Sequence, residues 1–135
     1  MADRARIADL WGAYGAGNDL RNFGLLESCF TEDASFTVHI VGGDTVGPLT
    51  PRKDVMEFFR AALGSQTDRR RHVLTNFRYL DEGADRAQVA AYLSLIVTDE
   101  GVTVTKSAGV YDTEVVLDQG GWRFRSVVLD LDSPF

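Results

Sequence analysis

Four strands follow one another in residues 70–131: RRHVLTNFRYL (70–80), RAQVAAYLSLIVT (86–98), VTVTKSAGVYDTEVVL (102–117) and GWRFRSVVLDL (121–131). Each run is rich in β-branched and aromatic residues, which suit a pleated, half-buried surface. Glu82-Gly83, Glu100-Gly101 and Gln119-Gly120-Gly121 separate them. Turns this short make antiparallel pairing the natural choice, because parallel neighbours need a long crossover.

Upstream the hydrophobic period changes from 2 to 3.6. Residues 3–16 read as a helix with Ile7, Leu10, Trp11 and Tyr14 on one stripe, stopped by Gly15 and Gly17. Asn22 is placed to cap a second, short helix whose inward residues are Leu25, Leu26, Cys29 and Phe30. Ser35 to Val41 reads as a strand, and a Gly-rich loop follows it. Thr50-Pro51 then opens a third helix with Val55, Phe58, Phe59 and Ala62 on its stripe, ended by Gly64. Helices first and long strands after give an α+β fold, three helices on one face of a strongly curved, mostly antiparallel sheet. Such a sheet leaves a conical cavity, a place for a ligand.

One domain spanning residues 1–135 accommodates all of this. The net charge of −6 is the wrong sign for a nucleic-acid or anionic-membrane binder, so neither partner is expected. Cys29 is alone, which excludes an intrachain disulfide and suits a reducing compartment. No apolar run is long enough for a membrane span and the N-terminus lacks a leader pattern; a cytoplasmic location is expected.

The inventory of reactive side chains is short. Two His and one Cys, without metal-ligand spacing, give no expectation of a metal, and no dinucleotide or phosphate loop is present, so no cofactor is expected. Cys29 on an apolar stripe reads as a packed thiol. Tyr14 ends the first helix's stripe, either as a core tyrosine or as a phenol donating to a substrate oxygen. Asp19, freed from capping by Asn22, reads as a cap or as a carboxylate orienting an imidazole. His72 opens its strand with Leu74, Asn76 and Arg78 on one face and Val73, Thr75, Phe77 and Tyr79 on the other. Neither face is purely apolar, so the sheet is expected to be buried on both sides there. The imidazole reads as structural or as a general base, its unperturbed pKa lying near about 6.5. His39 is a weaker second polar candidate. Trp11, Phe58, Tyr92 and Tyr111 are the expected substrate-binding residues beside it, Tyr92 and Tyr111 as cross-strand neighbours. Arg69-Arg70-Arg71 reads as a solvated turn or as a basic rim attracting an acidic substrate.

Several soft motifs recur in a fixed order. They are Leu10-Trp11-x-x-Tyr14-x-x-x-x-Asp19, Leu26-x-x-x-Phe30-Thr31-Glu32-Asp33-Ala34, Val55-x-x-Phe58-Phe59, Arg71-His72-x-x-x-Asn76, Gly109-x-Tyr111-Asp112 and Gly120-Gly121-Trp122-Arg123-Phe124. In this order the chain resembles the SnoaL-like branch of the NTF2-like superfamily, over nearly its whole length. The resemblance implies a cone-shaped fold. It also implies that Tyr14, Asp19 and His72 correspond to the acid–base residues of bile-acid dehydratase, with an Asp–His pair similar to that of scytalone dehydratase. Departures are visible too. No His follows position 72, Val127 stands where relatives often carry an Arg, and Val38-His39 occupies the region of the ketosteroid isomerase carboxylate.

These readings together predict an acid–base enzyme, a dehydratase-type lyase or an isomerase, acting on a small hydrophobic carbocyclic substrate. A polyketide cyclase or epoxide-opening enzyme using the same pocket, or a non-catalytic association module, are the alternatives. A homodimer is expected through the outer face of the large sheet, with Val89, Leu93, Leu95 and Val110 among its candidate residues.

Overall fold

Backbone handedness at two turns sets the sheet. Glu100 and Gly101 take positive φ (48° and 78°), as do Gln119 and Gly120 (52° and 82°), the pattern of two-residue turns whose twist matches the strands they join. Asp99 therefore pairs with Val102, and Asp118 with Gly121.

The computed structural model describes all 135 residues. In chain order the elements are α1 (Arg4–Asp19), α2 (Phe23–Ser28), β1 (Phe30–Ile40), β2 (Thr45–Leu49), α3 (Arg52–Gly64), β3 (Arg69–Glu82), β4 (Arg86–Asp99), β5 (Val102–Asp118) and β6 (Gly121–Leu131). The six strands form one sheet in the order β2-β1-β6-β5-β4-β3. Only the β1–β6 pair is parallel. The fold is α+β, with the three helices packed on the inner face of the curved sheet. No helix is long and apolar enough to cross a membrane.

The core lies between helices and sheet. Ile7, Trp11 and Tyr14 of α1 and Val55, Met56 and Phe59 of α3 are buried against Phe36, Tyr111, Phe124 and Val127. Each fully buried large side chain contributes roughly 1.5–3 kcal/mol of hydrophobic stabilisation.

Six expectations need correction. Gly15 and Gly17 do not stop α1, which continues to Asp19. Gly17 is there for packing: a Cβ on it would lie 3.1 Å from the backbone of Leu26, where α2 crosses. The Gly-rich segment contains β2, an edge strand that tolerates Pro48 because no ladder bond is needed on its open side. Helix α3 buries Met56 and Leu63 beside Val55 and Phe59, with Phe58 and Ala62 only partly covered. Within β3 the alternation is broken by a bulge: Thr75 pairs with Tyr92 but Arg78 with Ala90, so two residues, Asn76 and Phe77, oppose one, Ala91. Asn76 absorbs the extra residue at φ 56°. Beyond it the parity reverses, taking Arg78 off the face of His72 and bringing Tyr79 against the core.

The sheet is also covered on one side only at β3, where Val73 and Thr75 are exposed. The same one-sidedness overturns most of the expected outer patch. Val89, Leu93 and Leu95 belong to the odd-numbered positions of β4 that face the helices, and of the four named residues only Val110 lies outside.

Candidate active site

The C-terminal half of α1 points three polar side chains at β3 and the sheet interior. Tyr14 and Asn18, four residues apart, share one helix face. The Asn18 amide donates to the Tyr14 carbonyl at 3.0 Å. Asp19 sits a further 100° round the helix and reaches β3. A carboxylate at a helix C-terminus is repelled by the helix dipole, so a compensating set of donors is needed.

His72 supplies it. Its backbone N–H donates to both Asp19 oxygens (2.9 and 3.1 Å), and its Nδ1 lies 2.6 Å from Oδ1. β3 is the sheet's edge, so its outward N–H groups lack strand partners; at His72 the Asp19 carboxylate takes that place. The two side chains are 12% and 11% exposed. With Nδ1–H given to the carboxylate, the lone pair of a neutral imidazole is on Nε2, a tautomer assigned from the hydrogen bond.

His72 lines a hollow between α1, α3 and the sheet. The walls are mostly apolar, including Phe36, Phe58, Leu93, Leu95 and Leu131. The empty space is about 480 Å³ out to the mouth, but only about 50 Å³ admits the centre of a water molecule. A single water needs about 10–15 Å³ by that measure, so the hollow is narrow and suits a slim, apolar group. Two phenols project into it. The hydroxyls of Tyr14 and Tyr111 are 2.9 Å apart and both side chains are buried. Burial raises the pKa of both, because a phenolate there would be stripped of water. They stay protonated at neutral pH. One phenolic hydrogen closes the pair and the other remains free to donate.

Tyr14, Asp19 and His72 are therefore brought together, and Phe58 and Tyr111 line the same hollow. The other expected residues are elsewhere. His39 is exposed on β1, its Nδ1 3.0 Å from the Thr45 hydroxyl, because Phe36 and Val38 take the inward positions of that strand. Tyr92 is 51% exposed. It pairs with Val110, while Tyr111 pairs with Ala91, so the two tyrosines occupy opposite faces. Trp11 is buried, edge-on to Tyr111 with ring centres 5.5 Å apart, and lies outside the hollow, beside the groove between α1 and β3.

Sequence reasoning missed Asn18 and Gln66 and left Arg70 as part of a solvated turn or a basic rim; all three line the hollow. The signal for Asn18 was available: it lies one helical turn after Tyr14. The dyad has a second open side, a shallow groove between α1 and β3 lined by Ala8, Gly12, Leu74 and Phe77, through which Asp19 meets solvent.

A family model of the SnoaL-like domain matches residues 1–128. No curated protein matches the chain. Solved structures from Novosphingobium aromaticivorans share the architecture. A protein named as the β subunit of an aromatic-ring-hydroxylating dioxygenase is 20% identical, with a TM-score of 0.82 over 97% of this chain and 90% of that one. One named as a scytalone dehydratase is 19% identical, with a TM-score of 0.76 over 96% and 84%. An NTF2-like protein with a cystatin-like fold is 20% identical, with a TM-score of 0.74 over 96% and 81%. At these identities the likeness establishes the fold.

Proposed function

Because this chain belongs to the SnoaL-like family, we propose that it is an acid–base enzyme, a dehydratase-type lyase or an isomerase, working on a slim carbocyclic substrate with its own side chains. The observation that carries the reading is the 2.6 Å contact between Asp19 and His72 Nδ1 at the wall of an apolar hollow. It leaves Nε2 basic and places an anion where it stabilises the imidazolium as that forms.

For dehydration of a β-hydroxyketone the steps balance simply. Nε2 takes the proton from the carbon beside the carbonyl, and the C–H electron pair becomes the new C=C bond. The C–O bond to the hydroxyl breaks, and the imidazolium returns the same proton to the departing oxygen, giving water. The Tyr14–Tyr111 pair donates its free hydrogen to the carbonyl oxygen where negative charge collects. An isomerase would return the proton to a different carbon.

The test uses 3-hydroxycyclohexanone, with enone absorbance as the readout. The wild-type protein accelerates elimination, and a folded His72→Ala variant loses about 10²–10⁴ in rate. Equal rates in the two would overturn the reading.

A second reading, a non-catalytic subunit, is favoured by one feature. Tyr92 and Val110 form a cross-strand pair on the outer sheet face, both exposed. We propose a homodimer through this face. A dimer in sedimentation with no elimination activity at all would favour the subunit reading.

A further inference from the structure

The reading of His72 as a base leaves Arg70 unexplained. The Arg70 side chain is only 11% exposed, and the residue lines the hollow, whereas its neighbours Arg69 and Arg71 are exposed and do not. Its placement is built in two stages. Arg21 first fixes the α3–β3 loop: its Nε donates to the Leu63 carbonyl (3.1 Å) and its Nη2 to the carbonyls of Gln66 and Asp68 (2.9 Å each). The Asp68 carboxylate on that loop then takes Nε (2.8 Å) and Nη2 (3.2 Å) of Arg70. Arg70 in turn holds the Asp68 carboxyl below the usual carboxylate range, so the clamp stays ionised at neutral pH.

A guanidinium carries five N–H donors. Asp68 uses two, and Nη1 has no hydrogen bond within the chain. What remains is an oriented fork, the geometry that matches a carboxylate. Arg70 and His72 are two residues apart on one strand and share its inner face, so their backbones are about 6.5 Å apart.

We propose that Arg70 is the recognition group of the hollow and that the substrate is an apolar carboxylic acid. Its carboxylate docks on the Nη1 side of Arg70. Its hydrocarbon body lies against Phe36, Phe58 and Leu95, and the carbon that gives up its proton sits at His72, a few bonds from the carboxylate. The inference rests on the acid–base reading for the role of His72, but its own content is a binding preference.

The experiment compares trans-cinnamate with cinnamamide, nearly equal in shape and differing in charge, by calorimetry and amide chemical shifts. Wild-type protein binds cinnamate about tenfold or more tighter than the amide, with shifts at Tyr14, His72 and Tyr111. Arg70→Gln brings the two affinities together, and Arg70→Lys, keeping charge without the fork, retains part of the difference. Arg69→Gln, outside the hollow, keeps the wild-type preference. Should Arg70→Gln fail to fold, Asp68→Asn with Arg70→Gln removes the pair without orphaning a charge and is expected to level the affinities as well. Equal affinities in the wild type, a preference that survives loss of Arg70, or no shift in the hollow at 10 mM of either probe, on the order of the weak end of the affinity scale, would each overturn the proposal. Failure of the catalytic reading would register separately, as absent turnover of neutral 3-hydroxycyclohexanone.

Discussion

The chain's two histidines sit on strands of the same sheet and each has a side-chain oxygen at Nδ1, yet their surroundings differ in every respect that matters to chemistry. His72 meets an aspartate at 2.6 Å and faces an apolar hollow; His39 meets a threonine hydroxyl at 3.0 Å and faces solvent. A carboxylate favours the imidazolium as it forms, and a hydroxyl does so far less. Strand parity and a partner brought from another element, rather than the residue type, separate a candidate base from a surface side chain. The largest expected effect tests this directly: His72→Ala loses about 10²–10⁴ in the enone assay, while His39→Ala stays within about 0.5 kcal/mol of wild type in urea unfolding. A comparable loss of turnover at both positions would break the comparison.

Asp19→Asn sharpens it. The amide keeps the shape and removes the anion, so the rate falls, by on the order of 10². The two Asp19 oxygens also share the backbone N–H of His72, and an amide nitrogen in place of one of them cannot accept it. Losing that acceptor costs about 1–3 kcal/mol. Rate and urea midpoint both fall, whereas a merely structural aspartate would lower only the midpoint.

What could be read in advance follows the same division. The hairpins are local, written in Glu100-Gly101 and Gln119-Gly120, and so were Tyr14 and Asp19, five residues apart on one helix end. His72 is identifiable as a candidate, but its contact with Asp19 joins positions 53 residues apart; no periodicity encodes that pairing, and only the family resemblance implies it. Tyr92 and His39 were misplaced because alternation gives two faces without saying which is inside. Arg70 is ambiguous beside its neighbours: three consecutive arginines read as a solvated turn or as a basic rim, and it is the strand parity shared with His72, together with the Asp68 clamp, that turns the middle one inward.

The phenols opposite His72 provide the next test, since His39 faces nothing comparable. Burial raises the pKa of both Tyr14 and Tyr111. Above about pH 10, where an unfolded phenol ionises, the unfolded chain binds fewer protons than the folded one. Stability therefore falls as pH rises through this range and is untouched by these groups below it. The slope is up to about 1.4 kcal/mol per phenol per pH unit. Urea unfolding at pH 9 and 11 measures it, and Tyr111→Phe should show a shallower decline than wild type. An identical decline would mean that the pair is wetter than its burial indicates.

The smallest effects probe how tightly α1 is seated on the elements that make the two histidines unlike. Gly17→Ala puts a methyl 3.1 Å from the Leu26 backbone, an overpacking that costs about 1–3 kcal/mol. Gly15 lies on the other seam, against β3, where a Cβ would find Leu74 Cδ1 at 3.5 Å and the His72 carbonyl at 3.6 Å, ordinary contact distances. Gly15→Ala should therefore keep most of the helix-propensity gain, up to about 1 kcal/mol, and raise the urea midpoint slightly. The contrast in sign has a structural meaning. The α1–α2 crossing has no slack, whereas the seam at His72 holds its geometry through the Asp19 hydrogen bonds and tolerates an added methyl. If Gly15→Ala were as destabilising as Gly17→Ala, steric packing rather than the carboxylate would be holding His72 in place, and the distinction between the two histidines would rest on the helix alone.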